Sequence, residues 1–376
     1  MGERVLGLTE CFAEIIDPRM ERTKLHLLTD VLALAVMAVI AGAEGWEDIE
    51  DFGKEKHAWL KKFLRLPNGI PSHDTISRVF RLLKPAAFHQ AFLTWVESLP
   101  QQSGWRYVAI DGKTLRRSHD GQTMKSALHS VCAWSVENHV VLGQQAVDAK
   151  SNEITAIPEL LQLLELHGAI VTIDAMGCQK EIAAKIVAKG GDYVLAVKDN
   201  QPKLHAAIHQ YFLELHETDF ATGGCRRRVT QQRSHGRDEQ RSYYHAPLPA
   251  SLARLRDEWH NLNSIGQVIA ITQRDGKEVS DVRYYISSLR PHARRFAAAV
   301  RGHWGIENSL HWVLDMTFTE DQSRIRKGHS PDNFALLRRF AISLIKQDTS
   351  PGSVRRKRKR AAWNNHALET IVMPST

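Results

Sequence analysis

Two aspartates stand in closely similar positions along the chain. Asp111 ends the run RYVAID and Asp174 ends the run AIVTID, so each directly follows an isoleucine and directly precedes a small residue. Short apolar runs of this kind are typical of buried strands. A lone Asp at a strand end is more often a turn or cap residue, but two in matched positions indicate a shared role. Two such carboxylates could share one divalent cation, because hard ions such as Mg²⁺ prefer oxygen ligands.

The elements around these aspartates predict a mixed sheet. The runs RYVAID, SALHSVCAWSV and HVVLGQQAV have the composition of strands, and the last two are joined in hairpin order at Glu137-Asn138. A helix capped by Thr155, the strand AIVTID, a helix closing on Gly190-Gly191 and the strand DYVLAVK follow. This order predicts an α/β fold with a ribonuclease-H-like mixed sheet flanked by helices. In such a sheet the first strand neighbours the fourth, so both aspartates would emerge at the same edge.

The pattern predicts three segments. Residues 1–100 have helical periodicity and are expected to form a helical N-terminal, DNA-binding domain. Residues 101–345 form the α/β domain, which is interrupted over about 200–285 by a turn-rich, mainly β insertion. Residues 346–376 form a basic C-terminal tail.

The N-terminal segment contains one candidate DNA-reading helix. In IPSHDTISRVFRLL, Ser72 or Asp74 can cap a helix that places Ile76, Val79 and Phe80 on one face. The second helix of a helix-turn-helix would have this pattern. A helix that only packs in a core has it too, so both interpretations stay open.

Composition and charge favour a cytoplasmic protein that binds a polyanion. No apolar stretch approaches the roughly 20 residues of a membrane span, no signal peptide is visible, and the four scattered cysteines are expected to be reduced thiols. The formal net charge is +8, and residues 346–376 contribute seven Lys/Arg against two acids, 7 − 2 = +5. Such a run is often only solvated, but its cations could follow a phosphate backbone, which would associate the protein with the nucleoid.

Several motifs together resemble one known family. VAIDGKTLR, SNEITAIPELL, TIDAMGCQKEIA, DYVLAVKDNQ, SHGRDEQR, VRYYISS and HWGIENSLHWVLDMTFTEDQSRIR occur in the order found in bacterial insertion-sequence DDE transposases of the H-repeat-associated group. The resemblance covers nearly the whole chain, including WEDIEDF and GIPSHDTISRVF near its start. It implies a ribonuclease-H-like catalytic domain with an insertion before the last catalytic acid, and it assigns the three acids to Asp111, Asp174 and Glu307.

The neighbours of Glu307 fit a helical site face. His303 lies four residues before it, Trp304 three before and His311 four after, so these side chains would project to one side of a helix. Related transposases have a Tyr and an Arg seven and four residues before the catalytic Glu. Val300 and His303 occupy those positions here, and Arg301 is a candidate substitute for the Arg.

The resemblance implies metal-dependent cleavage of DNA at mobile-element ends and strand transfer to target DNA. Asp111, Asp174 and Glu307 would be the catalytic and metal-ligating residues for two Mg²⁺ or Mn²⁺ ions, which suit in-line phosphodiester chemistry. The partner is double-stranded DNA, bound by a homodimer because two element ends must meet. Positive or polar residues must then flank the acids; the candidates for DNA contact are Lys113, Lys198, Asn200, Gln201, His235, Arg237, Arg301, Trp304, Arg324 and Arg326.

Two other functions stay open at this point. A metal-dependent nuclease would use the same acids without strand transfer. A catalytically decayed DNA-binding protein of an H-repeat element would keep only the basic surfaces. A zinc enzyme is disfavoured, because the sequence has no HExxH and no paired Cys/His motif.

Overall fold

The computed structural model describes residues 7–99, 106–118, 127–147, 152–221, 223–234, 237–274 and 277–373. Its strands are β1 Tyr107–Thr114, β2 His129–Ser135, β3 Val140–Val147, β4 Ile170–Ile173, β5 Asp192–Val197, β6 Arg226–Ser234, β7 Arg237–Pro247, β8 Ser264–Arg274 and β9 Lys277–Ser287. Its α-helices are α1 Leu8–Cys11, α2 Leu28–Ala41, α3 Trp46–Glu55, α4 His57–Leu60, α5 His73–Leu82, α6 Pro85–Glu97, α7 Glu153–Leu163, α8 Lys180–Ala188, α9 Pro202–Glu217, α10 Leu255–Glu258, α11 Ala293–Ile306, α12 Trp312–Phe318, α13 Ser330–Gln347, α14 Val354–Trp363 and α15 Asn365–Val372.

The chain divides into two compact units. Unit 1 comprises residues 1–102, 112–150 and 307–376, and unit 2 comprises residues 103–111 and 151–306. The boundary after Asp111 falls inside β1, whose neighbours in the sheet are β2 and β4. The division into 1–100, 101–345 and 346–376 stays a prediction.

Unit 2 is built on a mixed sheet. Its strand order is β1-β4-β5-β9-β8-β7-β6, with β1, β4 and β5 parallel and the remaining strands antiparallel. The parallel strands are apolar because helices cover both faces of such a sheet. The predicted α/β, ribonuclease-H-like fold is confirmed.

The insertion over about 200–285 is mainly β, and its four strands continue the sheet from β5 through β9. It differs from the prediction in one way, because it begins with the sixteen-residue helix α9. The buried residues Leu204, Ile208, Phe212 and Leu215 recur at helical spacing, but the turn-rich segments that follow them favoured a β interpretation of the whole stretch.

Helix α7 also begins differently from the prediction. It starts at Glu153 after Asn152, whereas Thr155 was the expected cap. Thr155 instead lies within the first turn, where its hydroxyl donates to the Asn152 carbonyl at 2.8 Å. Pro158 consequently lies in the interior of the helix.

Unit 1 is organised around α2. Twelve of its fourteen residues are buried, as expected of a helix that is apolar on every side, and α1, α3, α13, α14 and α15 pack around it. Among the described residues, no single helix is long and apolar enough to cross a membrane; α2 and α3 pass that test only as a pair, bent by 94°. All four cysteines of the chain lie in described segments, and none forms a disulfide.

Helix α5 confirms one of the two predicted caps. The Ser72 hydroxyl accepts a hydrogen bond from the Thr75 amide at 3.4 Å, and Ile76, Val79 and Phe80 are buried. At the other end of the helix, the Asn333 side-chain amide donates to the carbonyls of Phe80 and Leu83, each at 2.8 Å. The apolar face of α5 therefore serves the core of unit 1.

The C-terminal basic run is a helix. Residues 354–363 form α14, capped by Ser353, and Lys357 and Arg358 within it are buried. A fully solvated run, one of the two interpretations left open above, is therefore wrong for these two residues. Their aliphatic stems pack inward while their charged groups reach polar partners, as long cationic side chains commonly do.

A buried ion pair joins α13 to the short turn after α12. Arg339 Nη1 lies 2.8 Å from Glu320 Oε1, and neither side chain has any exposed surface. The same guanidinium contacts Cys132 Sγ at 3.1 Å and Ser130 Oγ at 3.4 Å on β2. Removing two charges from water costs free energy, and the attraction between Arg339 and Glu320 offsets that cost.

We expect Glu320→Gln to lower the free energy of unfolding by about 3–5 kcal/mol, because it leaves the Arg339 charge buried without its counterion. Urea denaturation measures the change. Glu258→Gln is the matched control, since its pair with Lys180 at 2.6 Å is half-exposed and should contribute under about 1 kcal/mol. Equal losses in the two variants would contradict the role of the buried pair.

Candidate active site

Asp111 and Asp174 come directly after the paired residues of two parallel strands, β1 and β4. The register matches Tyr107 with Ile170 and continues to Ile110 with Ile173, the residues directly before the two aspartates. All the paired residues of both strands are buried. The backbone therefore brings Asp111 and Asp174 to the same edge of the sheet at adjacent positions, as the sequence predicted.

Asp174 is half-buried, and its surroundings act on its pKa in opposite directions. Burial raises its pKa, while the amides of Gly177 and Met176 and the charge of Lys198 act in the opposite direction. Lys198 is exposed and lies three residues after Leu195, which pairs with Ile173. The predicted proximity of Lys198 to the acidic edge thus agrees with its position.

The loop after Asp174 is held tightly. A Cβ added to Gly177 would lie 2.2 Å from Ile173 Cγ2, so only glycine fits this turn. The side chain of Asn200 donates to the Ala175 carbonyl, and that of Gln201 donates to the Cys178 carbonyl at 3.0 Å. Asn200 and Gln201, which were expected to contact DNA, here brace the loop that carries Asp174.

Helix α11 crosses the same strand. His303 Nδ1 lies 3.2 Å from Thr172 Oγ1 on β4, and Thr172 is buried. Farther back along the helix, Phe296 stacks on His245 at 4.7 Å between ring centroids and packs over Gly266. The helix ends at Ile306, so Glu307 is the next residue, one turn beyond the contact of His303 with β4.

Glu307 begins a π-helical turn. The turn runs from Glu307 to His311, and α12 continues from it. His311 is buried with Nδ1 3.9 Å from Glu307 Oε1, whereas the Glu307 side chain is 57% exposed. Such turns are frequent at functional sites in proteins. The sequence gives no signal for the turn, because the residues around it fit an ordinary helix equally well.

Lys113 lies in an acidic environment. Its Nζ is 2.7 and 2.6 Å from the two carboxylate oxygens of Asp315 on α12 and 3.7 Å from Asp321. The side chain is only 8% exposed. This position fits a structural ion pair better than the phosphate contact that was expected for Lys113.

The candidates on α11 have partners on the long strands. Arg301 Nη2 donates to Gln232 Oε1 on β6 at 2.6 Å. The guanidinium carbon of Arg283 lies 4.5 Å from the ring centroid of Trp304, whose side chain stays partly exposed. The sequence offers no reason to select Arg283 as a residue of this surface; only its contact with Trp304 in the structure identifies it.

The remaining candidates are dispersed. Arg324 is exposed, and Arg326 donates two hydrogen bonds to the Arg117 carbonyl at 3.2 and 3.3 Å. Arg237 begins β7, where its backbone pairs with Ser234 and Arg274. His235 lies outside the described residues.

Comparison with known proteins identifies relatives over nearly the whole chain. The model of the transposase DDE domain matches residues 103–344, and that of the DDE_Tnp_1-associated domain matches residues 9–96. YncI of Escherichia coli O157:H7 is 42% identical over 372 residues, covering 98% of this chain and 95% of that protein. The H repeat-associated YhhI of Escherichia coli K12 is 40% identical over 375 residues, 98% of each chain. Both carry provisional transposase names.

Among solved structures, a piggyBac transposase synaptic complex with hairpin DNA is similar at a TM-score of 0.41 and 9% identity, covering 97% of this chain and 76% of that one. This likeness is too low to carry an argument. The family is shown by the two family models and by the relatives of at least 40% identity. The chain therefore belongs to the DDE transposase family, among its H repeat-associated members.

Proposed function

We propose that the protein is an active transposase that cleaves DNA at the ends of its mobile element and joins those ends to target DNA. The observation that carries this proposal is the parallel register of β1 and β4, which makes Asp111 and Asp174 adjacent at one sheet edge. Glu307 is the third acid, exposed at the start of a π-helical turn. A homodimer would bring two element ends together.

The donor set fits hard divalent ions. Asp111, Asp174 and Glu307 offer only carboxylate oxygens, the ligands that Mg²⁺ and Mn²⁺ prefer. Two such ions, when bound, would activate the attacking oxygen and stabilise the leaving one. Burial of Asp174 strengthens its interaction with a cation, since the partly desolvated carboxylate has less water to give up.

The chain's own residues would orient this centre. The Gly177 turn and the bonds from Asn200 and Gln201 limit the movement of Asp174. The contact of His303 with Thr172 fixes the end of α11, from which Glu307 follows. Lys198 would offset part of the negative charge that otherwise repels a phosphate backbone.

The decisive experiment supplies purified protein with Mg²⁺, a supercoiled plasmid and DNA fragments copied from both flanks of the gene. Joined products support transposition. Nicks or linear fragments without joining would replace the proposal by a nuclease without strand transfer. Binding without any cleavage would replace it by a decayed DNA-binding protein.

We expect Asp111→Asn, Asp174→Asn and Glu307→Gln each to lower the cleavage rate by more than tenfold, over about 1.4 kcal/mol in activation free energy. DNA affinity should change little, because phosphate contacts supply most of it. Asp257→Asn on α10, an exposed carboxylate, is the matched control. A variant that retains more than a tenth of the wild-type rate removes its residue from the site.

We expect cleavage to require Mg²⁺ or Mn²⁺, and Ca²⁺ to permit DNA binding without turnover. The larger and more irregular Ca²⁺ shell should misplace the reacting oxygens. Cleavage assays after chelation, followed by addition of each ion, measure this dependence. Full activity in excess chelator would refute metal dependence.

We expect Lys113→Gln and Asp315→Asn each to slow cleavage, and the double variant to be less impaired than the two single effects combined. Lys113 lies two residues after Asp111, and Asp315 lies eight residues after Glu307, so their ion pair holds the segments that carry two of the acids. Each single variant leaves one partly buried charge without its partner. Cleavage rates in a double-mutant cycle should reveal a coupling of about 1 kcal/mol or more; additive effects would contradict the coupling.

A further inference from the structure

Helix α14 has an inner side whose cations are structural. Lys357 Nζ lies 3.4 Å from Asp348 Oδ2 and also contacts the Asp348 carbonyl. Arg358 donates to the Val39 carbonyl at 2.9 Å and to the Thr317 carbonyl, and its guanidinium carbon lies 4.1 Å from the Phe318 ring centroid. The charged groups of Lys357 and Arg358 therefore already have partners within unit 1.

The outer side of α14 is different. Arg355, Lys359 and Trp363 are spaced four residues apart, so they form one line along the helix, with Arg356 beside it. All four are exposed, and Trp363 is 75% exposed. We call these four residues the α14 stripe. Within the described part of the chain, no acidic side chain pairs with its three cations, and α14 itself contains no acid.

The α14 stripe is presented on a fixed support. Ser353 caps the helix by accepting from the Arg356 amide at 3.3 Å. The following helix α15 is joined to the N-terminal helices, through Lys56 Nζ to Asn365 Oδ1 at 2.8 Å and Trp59 Nε1 to Glu369 Oε1 at 2.5 Å. A cation stripe on a folded helix loses less conformational entropy on binding than one on a flexible tail.

We propose that the α14 stripe binds DNA, with Arg355, Arg356 and Lys359 contacting phosphates and Trp363 stacking on an unpaired base. The inference rests on the proposed function and extends it, because α14 lies beyond residues 9–96 and 103–344, the segments matched by the family models. Charge complementarity identifies the partner as a polyanion. The exposed indole adds a flat apolar surface. An unpaired base can stack on this surface, whereas a base inside a duplex is already stacked between its neighbours.

The first experiment measures DNA affinity against salt concentration in chelator, so that no cleavage occurs. For Arg355→Gln/Arg356→Gln/Lys359→Gln on duplex DNA, the slope of log affinity against log salt should fall by about 2–3, since each lost phosphate contact removes about 0.9. The control is Arg22→Gln/Arg254→Gln/Arg256→Gln, which removes three exposed cations elsewhere. Its slope should fall by less than about 1. Equal slopes for wild type and the stripe variant, or equal falls in the two variants, would overturn the proposal.

The second experiment tests the stacking. Trp363→Ala should weaken binding to DNA with a single-stranded overhang by about fivefold or more, while binding to blunt duplex changes little. Trp363→Phe should retain most of the affinity for the overhang, because a phenyl ring still stacks. An equal loss on both DNAs, or none on the overhang, would overturn the role of Trp363.

These outcomes are separable from those of the proposed function. Binding in chelator does not depend on catalysis, so a stripe that binds DNA in a protein unable to cleave would refute only transposition. Conversely, strand transfer with unchanged salt slopes would refute only the stripe.

Discussion

The parallel pairing of β1 and β4 is the constraint on which the site depends. The paired residues of both strands are buried up to Ile110 and Ile173, and the next residue in each chain is an aspartate. Parallel strands align their carboxyl ends, so these two positions meet without any further specification. Other elements of unit 2 add residues near this edge. Lys198 directly follows β5, which pairs with β4, and α11 contacts β4 through His303 four residues before Glu307.

Unit 1 stabilises the segments around Glu307 with ion pairs. Asp315 holds Lys113, and five residues later Glu320 holds Arg339 in a fully buried pair. Such pairs add little net stability over a well-packed apolar contact, but they make the wrong arrangement costly, because any shift leaves a charge alone. Asp315 and Glu320 are thus occupied by cations.

Much of this fold could be predicted, because its signals are local. The strands that lead to Asp111 and Asp174, the cap at Ser72 and the α/β class all follow from apolar runs and turn residues within short windows. Helix α9 was missed although Leu204, Ile208, Phe212 and Leu215 recur at helical spacing, because the turn-rich segments that follow favoured a β interpretation of the stretch. The inward orientation of Lys113, Lys357 and Arg358 depends on partners far away in the chain, so no window around them contains the information. The π-helical turn at Glu307 is likewise invisible, since it adds one backbone residue per turn without a distinct residue signature.

Strand β6 ends the sheet of unit 2, and this position explains the arginines of the insertion. Among the described strands its single neighbour is β7, so one row of its backbone amides and carbonyls has no strand beside it. Such an edge invites another chain to add a strand, the first step of aggregation. Arg226, Arg227, Arg228 and Arg233 are all exposed along β6, and a second copy approaching edge to edge would meet the same four charges. Like charges along β6 therefore disfavour pairing of this edge with the same edge of a second copy.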